Sequence, residues 1–574
     1  LRYKTFQIQN NFMKFIDRHT VTVGGTLERY RSENVFFPGS QSAYVYNSLD
    51  DFYTDVNGYL ANPNRTTSPV SLRRFQVRWN NIPGQDKPLQ PLEVLYGGLY
   101  IQDEWRPSNN LTLSAGLRFD VPRFGDTGYT NEVADGLSFR DESGQPVQYD
   151  SGKLPDPNIL WSPRAGFNWA VDENRTTQVR GGTGIFTGRP AYVWISNQVG
   201  NTGVLTGFEQ LDNTFARPFN PDPNYYKPGN VSGAPASSFE LALTNPDFKF
   251  PQVWRTNFAV DQRLPLGFTN TTEFIYNKDV NGVYYINANL APANTAFAGA
   301  DARPRWTTSN RINSFVANAV VLKNQNVGSS WNLASSVDRR FGSNFVKVAY
   351  SYGQSKNTVD PGSIAFGSWN NNQHAGDPNN PGVGFSPTGR AGHRLFATGT
   401  FGKNLFAFGR SSVSLFYEMR NDGVDTYTFS GDINGDGGTA NDLLYVHRDQ
   451  SEMNFQTFTS GGRTYTAAEQ AAAWDAYISQ DDYLSKRRGQ YAERGGVLLP
   501  FVHRMDLSVA QDIFTNIRGH RHSLQVRADV LNFGNLLNSN WGVGQRLVNR
   551  QPLVVVTGQQ ADALGRMQYR LRSI

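Results

Sequence analysis

The sequence contains no cysteine in 574 residues, which excludes disulfides, thiolate metal sites and cysteine nucleophiles. Charge is sparse, at 18 % of residues against a usual share of about 25 %. Neither sign dominates: 54 Lys and Arg against 49 Asp and Glu leave a formal +5. Over this length that is no nucleic-acid signature, although the pI is about 9.1. Apolar residues reach only 38 %, with a mean hydropathy of −0.51. No apolar run approaches the roughly 18 residues that a transmembrane helix needs. No HExxH, GxSxG or phosphate-loop pattern occurs, so no constellation points to an enzyme. The opening residues, Leu1-Arg2-Tyr3-Lys4, are polar, lack an initiating Met and form no signal peptide. The chain is therefore expected to be processed or to be a fragment.

What the sequence does have is aromatic side chains, 13 % of the total (38 Phe, 26 Tyr, 11 Trp), and 55 glycines. This fits either a large soluble all-β protein or an outer-membrane barrel, whose strands alternate apolar outside with polar inside. Alternation is clearest at 110–120. Leu111, Leu113, Ala115, Leu117 and Phe119 share one face, and Thr112, Ser114, Gly116, Arg118 and Asp120 the other. The same period runs through 344–354, 503–514 and 521–532. Each stretch is about ten residues, the length that crosses a bilayer at a tilt of roughly 45°.

Connection lengths decide between the two folds. Tight links are expected at Asp17-Arg18, Pro107-Ser108-Asn109, Asp172-Glu173-Asn174, Pro265-Leu266-Gly267 and Gly342-Ser343, with slightly longer ones at 403–408 and 515–520. Between them lie long stretches rich in Asn, Pro, Gly and Asp, at 31–92, 121–160, 187–251, 278–329, 355–391 and 421–502. Short links alternating with long ones are the asymmetry of barrels with tight periplasmic turns and long extracellular loops. The predicted fold is all-β: a transmembrane antiparallel β-barrel, of which about 14–16 strands, seven hairpins, are present. If every tight turn is periplasmic, the first strand runs inward and at least one strand should precede it. Beyond 521–532 the only candidate return strand, 566–572, alternates poorly. Both ends of the barrel are therefore expected to be incomplete.

Several segments are recognisable in order: GLYIQDEWRP at 98–107, NLTLSAGLRFD at 110–120, WSPRAGF at 161–167, RGGTGIF at 180–186, FPQVW at 250–254, GDINGDG at 431–437, NDLLY at 441–445 and RGQYAER at 488–494. Together they resemble TonB-dependent outer-membrane receptors of the large Oar-like branch, which carry a carboxypeptidase-regulatory-like N-terminal domain. The resemblance covers nearly the whole chain. It implies a barrel of about 22 strands filled by an N-terminal plug. It also implies a TonB-type energy-coupling protein, contacted through a region N-terminal to the barrel, and passage of a bulky substrate. Plug, coupling segment and regulatory-like domain are absent from the sequence. The chain ends Arg570-Leu-Arg-Ser-Ile574, without the aromatic-ended closing strand usual in the family. The expected organisation is one receptor barrel over 1–574, incomplete at both ends, with its longest extracellular loop at 421–502.

Asp432-x-Asn434-x-Asp436-Gly437 has the oxygen-ligand spacing of a calcium loop. Leu443 stands where an EF-hand-type site needs its last acid, and Asp442 falls one place early. The sharp expectation is a structural calcium ion on Asp432, Asn434, Asp436 and Asp442; the plain one is a run of Asx-turns. No other cofactor is expected. Arg118, Asp120, Arg180, Asp506, Arg527 and Asp529 are candidates for lining the lumen, with inter-strand salt bridges as their plain role. The segment 466–484 is the one predicted loop helix, opened by a Thr466/Glu469 capping box, with Ala472, Ala476, Ile478 and Tyr483 as its packing stripe. It would pack over the barrel rim or act as a lid. Tyr100, Trp105, Trp161, Trp169, Tyr352, Tyr417 and Trp541 are candidates for the interfacial aromatic girdles. Loop tyrosines 225, 226, 284 and 285 either stack on a ligand or form loop core. His520 and His522, flanking a predicted turn, read as solvated.

These readings predict a receptor or transporter in the cell outer membrane, in contact with its lipid. One alternative is a surface anchor, scaffold or adhesion barrel that presents its loops to a lipoprotein or other protein partner. The other is a passive porin, against which the unpaired strand parity speaks.

Overall fold

A segment that alternates apolar with polar residues can hide one face and satisfy its backbone only in a ladder with neighbours. The computed structural model describes residues 2–572 apart from 36, 38, 388, 390–391 and 557–560; the side chains of 515–517 and 521 are not described. Fourteen strands form one path: β1 (Arg2–Ile16), β2 (His19–Asn34), β3 (Gln90–Ser108), β4 (Leu111–Phe124), β5 (Leu160–Ala170), β6 (Thr177–Thr187), β7 (Gln252–Arg263), β8 (Thr269–Asp279), β9 (Ser329–Phe341), β10 (Asn344–Asn357), β11 (Gly392–Phe406), β12 (Gly409–Asn421), β13 (Phe501–Ile517) and β14 (His520–Val530). Each pairs antiparallel with the next, and a short strand, Gly384–Phe385, adds to the end of β10. The outer edges of β1 and β14 do not pair with each other.

All seven tight links fall where the sequence places them, at 17–18, 109–110, 171–176, 264–268, 342–343, 407–408 and 518–519. The last has Arg518 and Gly519 at φ of 51° and 79°, the paired left-handed residues of a two-residue hairpin whose twist matches its strands. The long links, 35–89, 125–159, 188–251, 280–328, 358–391 and 422–500, all leave from the opposite end of the sheet.

One face of this sheet is apolar and uncovered. Leu99, Ile101 and Trp105 of β3, Leu117 of β4, Trp161 and Trp169 of β5, Trp254 and Phe258 of β7, and Leu524 and Val526 of β14 are all exposed. In water such a patch would drive association; against lipid it is the outer band of a barrel. Among the described residues no helix is long and apolar enough to cross a membrane. Tyr100 does not join the girdle. It lies one position out of phase with Leu99 and Ile101, so it faces the polar side, where it donates to Asn11 and lies beneath the Arg118 guanidinium.

The long links fold together instead of hanging free. Thr206–Thr214, Leu72–Asn80 and Ala43–Val45 form a three-stranded sheet from two loops. Phe239–Thr244, Val316–Gln325 and Gly282–Asn287 form another, parallel at its first pair. With no cysteine available, buried amides do the stapling. Asn379 Oδ1 accepts from the Asn287 N–H and Trp369 Nε1, while its Nδ2 donates to the Asn287 carbonyl. Tyr284 and Tyr285 are buried in this assembly, so they are loop core.

The helix in the last loop spans Ala467–Gln480 and carries the full Thr466/Glu469 capping box. Its buried stripe is Ala471, Trp474 and Ile478, whereas Ala472 and Ala476 face solvent. The bulky Trp474 sets the inward face, and positions three and four away follow it. Further loop helices at Leu49–Ala61, Tyr192–Gly200 and Ala365–Asn370 correct the expectation of only one. The last two are short and held by packing, as with buried Ile195 and Val199, whereas the 13-residue Leu49–Ala61 is capped by Ser48 and buries only Asp55. The 566–572 segment is also not a wall strand: Tyr569–Leu571 pairs with Leu553–Val555 above the sheet.

Candidate functional site

Two places concentrate polar chemistry: the inner face of the sheet and a buried centre among the outer loops. On the sheet, all six charges singled out from the sequence stand on the face opposite the apolar band, as period two requires. Arg118 chelates Asp120 two residues on, at 2.6 Å, and Asp120 is buried. Arg180 reaches across strands to Asp261 at 3.0 Å and Glu273 at 3.5 Å. Asp506 pairs with Arg504 at 2.8 Å and Arg527 with Asp529 at 2.7 Å. Two grooves open between such pairs. One, of about 400 Å³, is lined by Gln9, Tyr96, Tyr100, Arg118, Arg164 and Arg189. The other, of about 700 Å³, is lined by Asn332, Ser351, His393, Arg394, Glu418 and Arg420. Both are lined mainly by hydrogen-bonding groups, with charges of both signs.

The second place is built on the Asp/Asn/Gly motif. Asp432 behaves as an Asx cap, its two oxygens accepting from the Gly435 and Gly437 N–H groups at 2.6 and 2.9 Å. Asn434 Oδ1 accepts from the Asp436 N–H, and Asp436 Oδ1 from the Gly438 N–H. Gly435 sits at φ +87°, and a Cβ there would run into the Trp306 carbonyl, so only glycine fits. Asp442 folds back, accepting from the Ile433 N–H.

Two residues that sequence spacing did not bring in complete this centre. His374 comes from the preceding loop, and its Nε2 lies 3.0 Å from Asp436 Oδ2. The donor atoms of His374, Asp436 and Asp442 all lie within 4.8 Å of one another, and all three side chains are buried. Arg303, from the 280–328 loop, is fully buried and reaches Asp301 at 2.8 Å, Asp442 at 3.1 Å and the Leu443 carbonyl at 2.7 Å. Burial works against its charge, but the Asp301 and Asp442 carboxylates outweigh that and hold it protonated. Burial, reinforced by Asp436, pushes Asp432 up to about 6. Burial pushes Asp442 up to about 7 against the pull of Arg303. Burial also pushes Asp436 up, but the His374 contact outweighs it and holds that carboxyl below its usual range.

Beside this centre, His447 is buried under the loop helix. Trp474 Nε1 donates to its Nδ1 at 3.2 Å, and its Nε2 meets the Tyr569 hydroxyl at 2.5 Å. Burial pushes His447 down to about 4, with Asp301 and Glu452 opposing and Arg488 adding to the shift. The folded value lies below the unfolded one of about 6.5, so this stability is complete above about 6.5. It is lost as pH falls toward 4, at up to about 1.4 kcal/mol per pH unit. Asp432 and Asp442 bias the other way. Amide exchange of Ala467–Gln480, corrected for intrinsic rates, is therefore expected to quicken below pH 6.5 in the native protein by more than in a His447→Gln variant. Equal slopes in the two proteins would refute the assignment.

A strictly sequential antiparallel sheet with an apolar outer band, a polar inner face, tight turns at one end and folded loops at the other defines an integral outer-membrane β-barrel protein. The family model "Outer membrane beta barrel domain" matches residues 2–559, and the chain belongs to that family and to the outer membrane. Three solved structures similar to it are distant. The outer membrane transporter YddB from Escherichia coli is 12 % identical, with a TM-score of 0.46, over 92 % of this chain and 50 % of that one. The copper transporter OprC is 8 % identical, with a TM-score of 0.43, over 92 % and 51 %. The FrpB iron transporter from Neisseria meningitidis (F5-1 variant) is 10 % identical, with a TM-score of 0.41, over 93 % and 51 %. The chain thus spans about half the length of these proteins. No curated protein matches it.

Proposed function

We propose that this chain is the barrel part of a TonB-dependent receptor of the Oar-like branch, which moves a bulky substrate across the outer membrane. The observation that carries the reading is the pair of free edges. Fourteen successive hairpin strands, enough to close a porin-sized barrel, leave β1 and β14 unpaired with each other. A free strand edge cannot face hydrocarbon, which favours a wall wider than these fourteen strands, of the class whose lumen holds a plug. In this reading the plug, the segment that meets the TonB-type coupling protein and the regulatory-like domain lie outside 1–574, and 421–502 is the largest extracellular loop. The folded outer loops engage substrate first. The polar face, with Arg118, Asp120, Arg180, Asp506, Arg527 and Asp529, lines its path. No catalytic step is assigned to any residue.

The extent of the folded outer loops favours a second reading, in which the barrel anchors a surface platform for a lipoprotein partner. Purification of the intact protein from its native membrane, with mass measurement and planar-bilayer conductance, tests both. The receptor reading expects a mass well above 64.0 kDa, plug peptides, and no steady conductance until urea unfolds the plug. Steady open conductance from a 64.0 kDa protein would replace it with a porin. A plugless barrel that co-purifies with a surface protein would replace it with the anchor.

A further inference from the structure

The buried centre of the outer loops has more negative charge than its single guanidinium can balance. Asp432, Asp436 and Asp442 come from one loop, Asp301 lies alongside, and Arg303 is shared between Asp301 and Asp442. Buried carboxylates persist only when paired, protonated or bound to a metal.

A second observation points to what is bound. His374 is wholly buried, and neither ring nitrogen is in hydrogen-bonding geometry with any partner, although Nε2 lies 3.0 Å from Asp436 Oδ2. At its flank Asn441 is also buried, with both amide atoms unpaired. Unsatisfied buried nitrogens and oxygens cost roughly 1–3 kcal/mol each, so their clustering at one spot calls for a ligand. The backbone holds His374 in place: its N–H donates to the Asn441 carbonyl, and its carbonyl accepts from the Leu443 N–H, each at 2.9 Å.

We propose that His374 Nε2 and the carboxylates of Asp436 and Asp442 bind one divalent metal ion, tying the 358–391 loop to the 422–500 loop. Through Arg303 on Asp442, the ion also steadies the 280–328 loop. An imidazole nitrogen with two carboxylates is a donor set for a borderline ion such as Zn²⁺, whereas Ca²⁺ takes oxygen. Donors within 4.8 Å of one another need to close by only about an ångström to reach Zn²⁺ bond lengths. Asp432 and Asn434, occupied by backbone N–H groups of their own loop, shape the turn that presents Asp436. Asn441 is left to a metal-bound water. The inference is independent of what crosses the barrel.

The test uses intact protein from its native membrane in detergent, stripped with EDTA, dialysed, and titrated with Zn²⁺ by calorimetry. The expected result is a site of micromolar or tighter Kd that weakens at least tenfold in both His374→Gln and Asp436→Asn. The double variant His520→Gln/His522→Gln, which alters the one pair of histidines close together in the sequence, should leave it unchanged. Amide exchange on the unmutated protein needs no variant to fold: Zn²⁺ should slow exchange at Asn441–Leu443 and at His374. Zinc binding equal in native and His374→Gln protein would overturn the proposal, as would zinc-independent exchange at these amides. So would Ca²⁺ saturating a site there that ignores His374→Gln.

Discussion

Replacing Arg303 by Met is expected to destabilise the outer-loop centre by about 3–5 kcal/mol, the range for breaking a buried ion pair from one side. Arg303 is enclosed between the rings of Phe429 and Tyr491, at 5.1 and 5.2 Å, so no water can take over its role. Met fills much of the volume but leaves Asp301 and Asp442 without the guanidinium they share, and the Leu443 carbonyl without its donor. Limited proteolysis and amide exchange across 425–446 should both rise sharply, while the strands below stay protected. In EDTA-stripped protein, adding Asp442→Asn to Arg303→Met should recover part of the loss, because it removes one stranded charge. Native-like protection in the single variant would show that the centre is not held by this pair.

Leu117→Arg is expected to cost about 2–4 kcal/mol of barrel stability in lipid, the penalty for a guanidinium near the bilayer midplane. Leu117 lies mid-strand on the exposed apolar face of β4. Five positions earlier, Thr112 is on the opposite face, so Thr112→Arg should cost far less. Urea midpoints of the protein refolded in bilayers measure both. Equal costs would mean that the two faces do not meet different media.

The wall of this protein was readable in its sequence because each cue there is local. Leu111 to Phe119 alternate without interruption, and Asp17-Arg18 and Gly342-Ser343 mark hairpins to the residue. The charges at 118, 120, 180, 506, 527 and 529 reach the polar face by parity alone. The outer loops were harder, since their order comes from partners far apart in sequence. Asp436 and Asp442 lie on a recognisable motif, but His374 and Arg303 come from other loops, and no spacing announces them. Asn379 staples Asn287 across two loops with nothing beyond a high asparagine content as warning. The capping box marks the loop helix, and Ile478 of its expected stripe is buried, but Ala472 and Ala476 face solvent because Trp474 sets the inward face. Tyr100 has the residue type of a girdle but the phase of the polar face, one position out of step with Leu99 and Ile101.

The central claim is that one face of this sheet meets lipid and the other meets water within an outer-membrane barrel. Because the chain has no cysteine of its own, single cysteines placed along β4 in membrane-embedded protein test it directly. Cysteine at 112, 114 or 118 should react quickly with a charged, water-soluble maleimide. Cysteine at 113, 117 or 119 should resist that reagent, and a fluorophore attached there after unfolding should be quenched by a lipid-borne quencher once the barrel is refolded. Uniform reaction with the water-soluble reagent at both sets of positions would contradict the account.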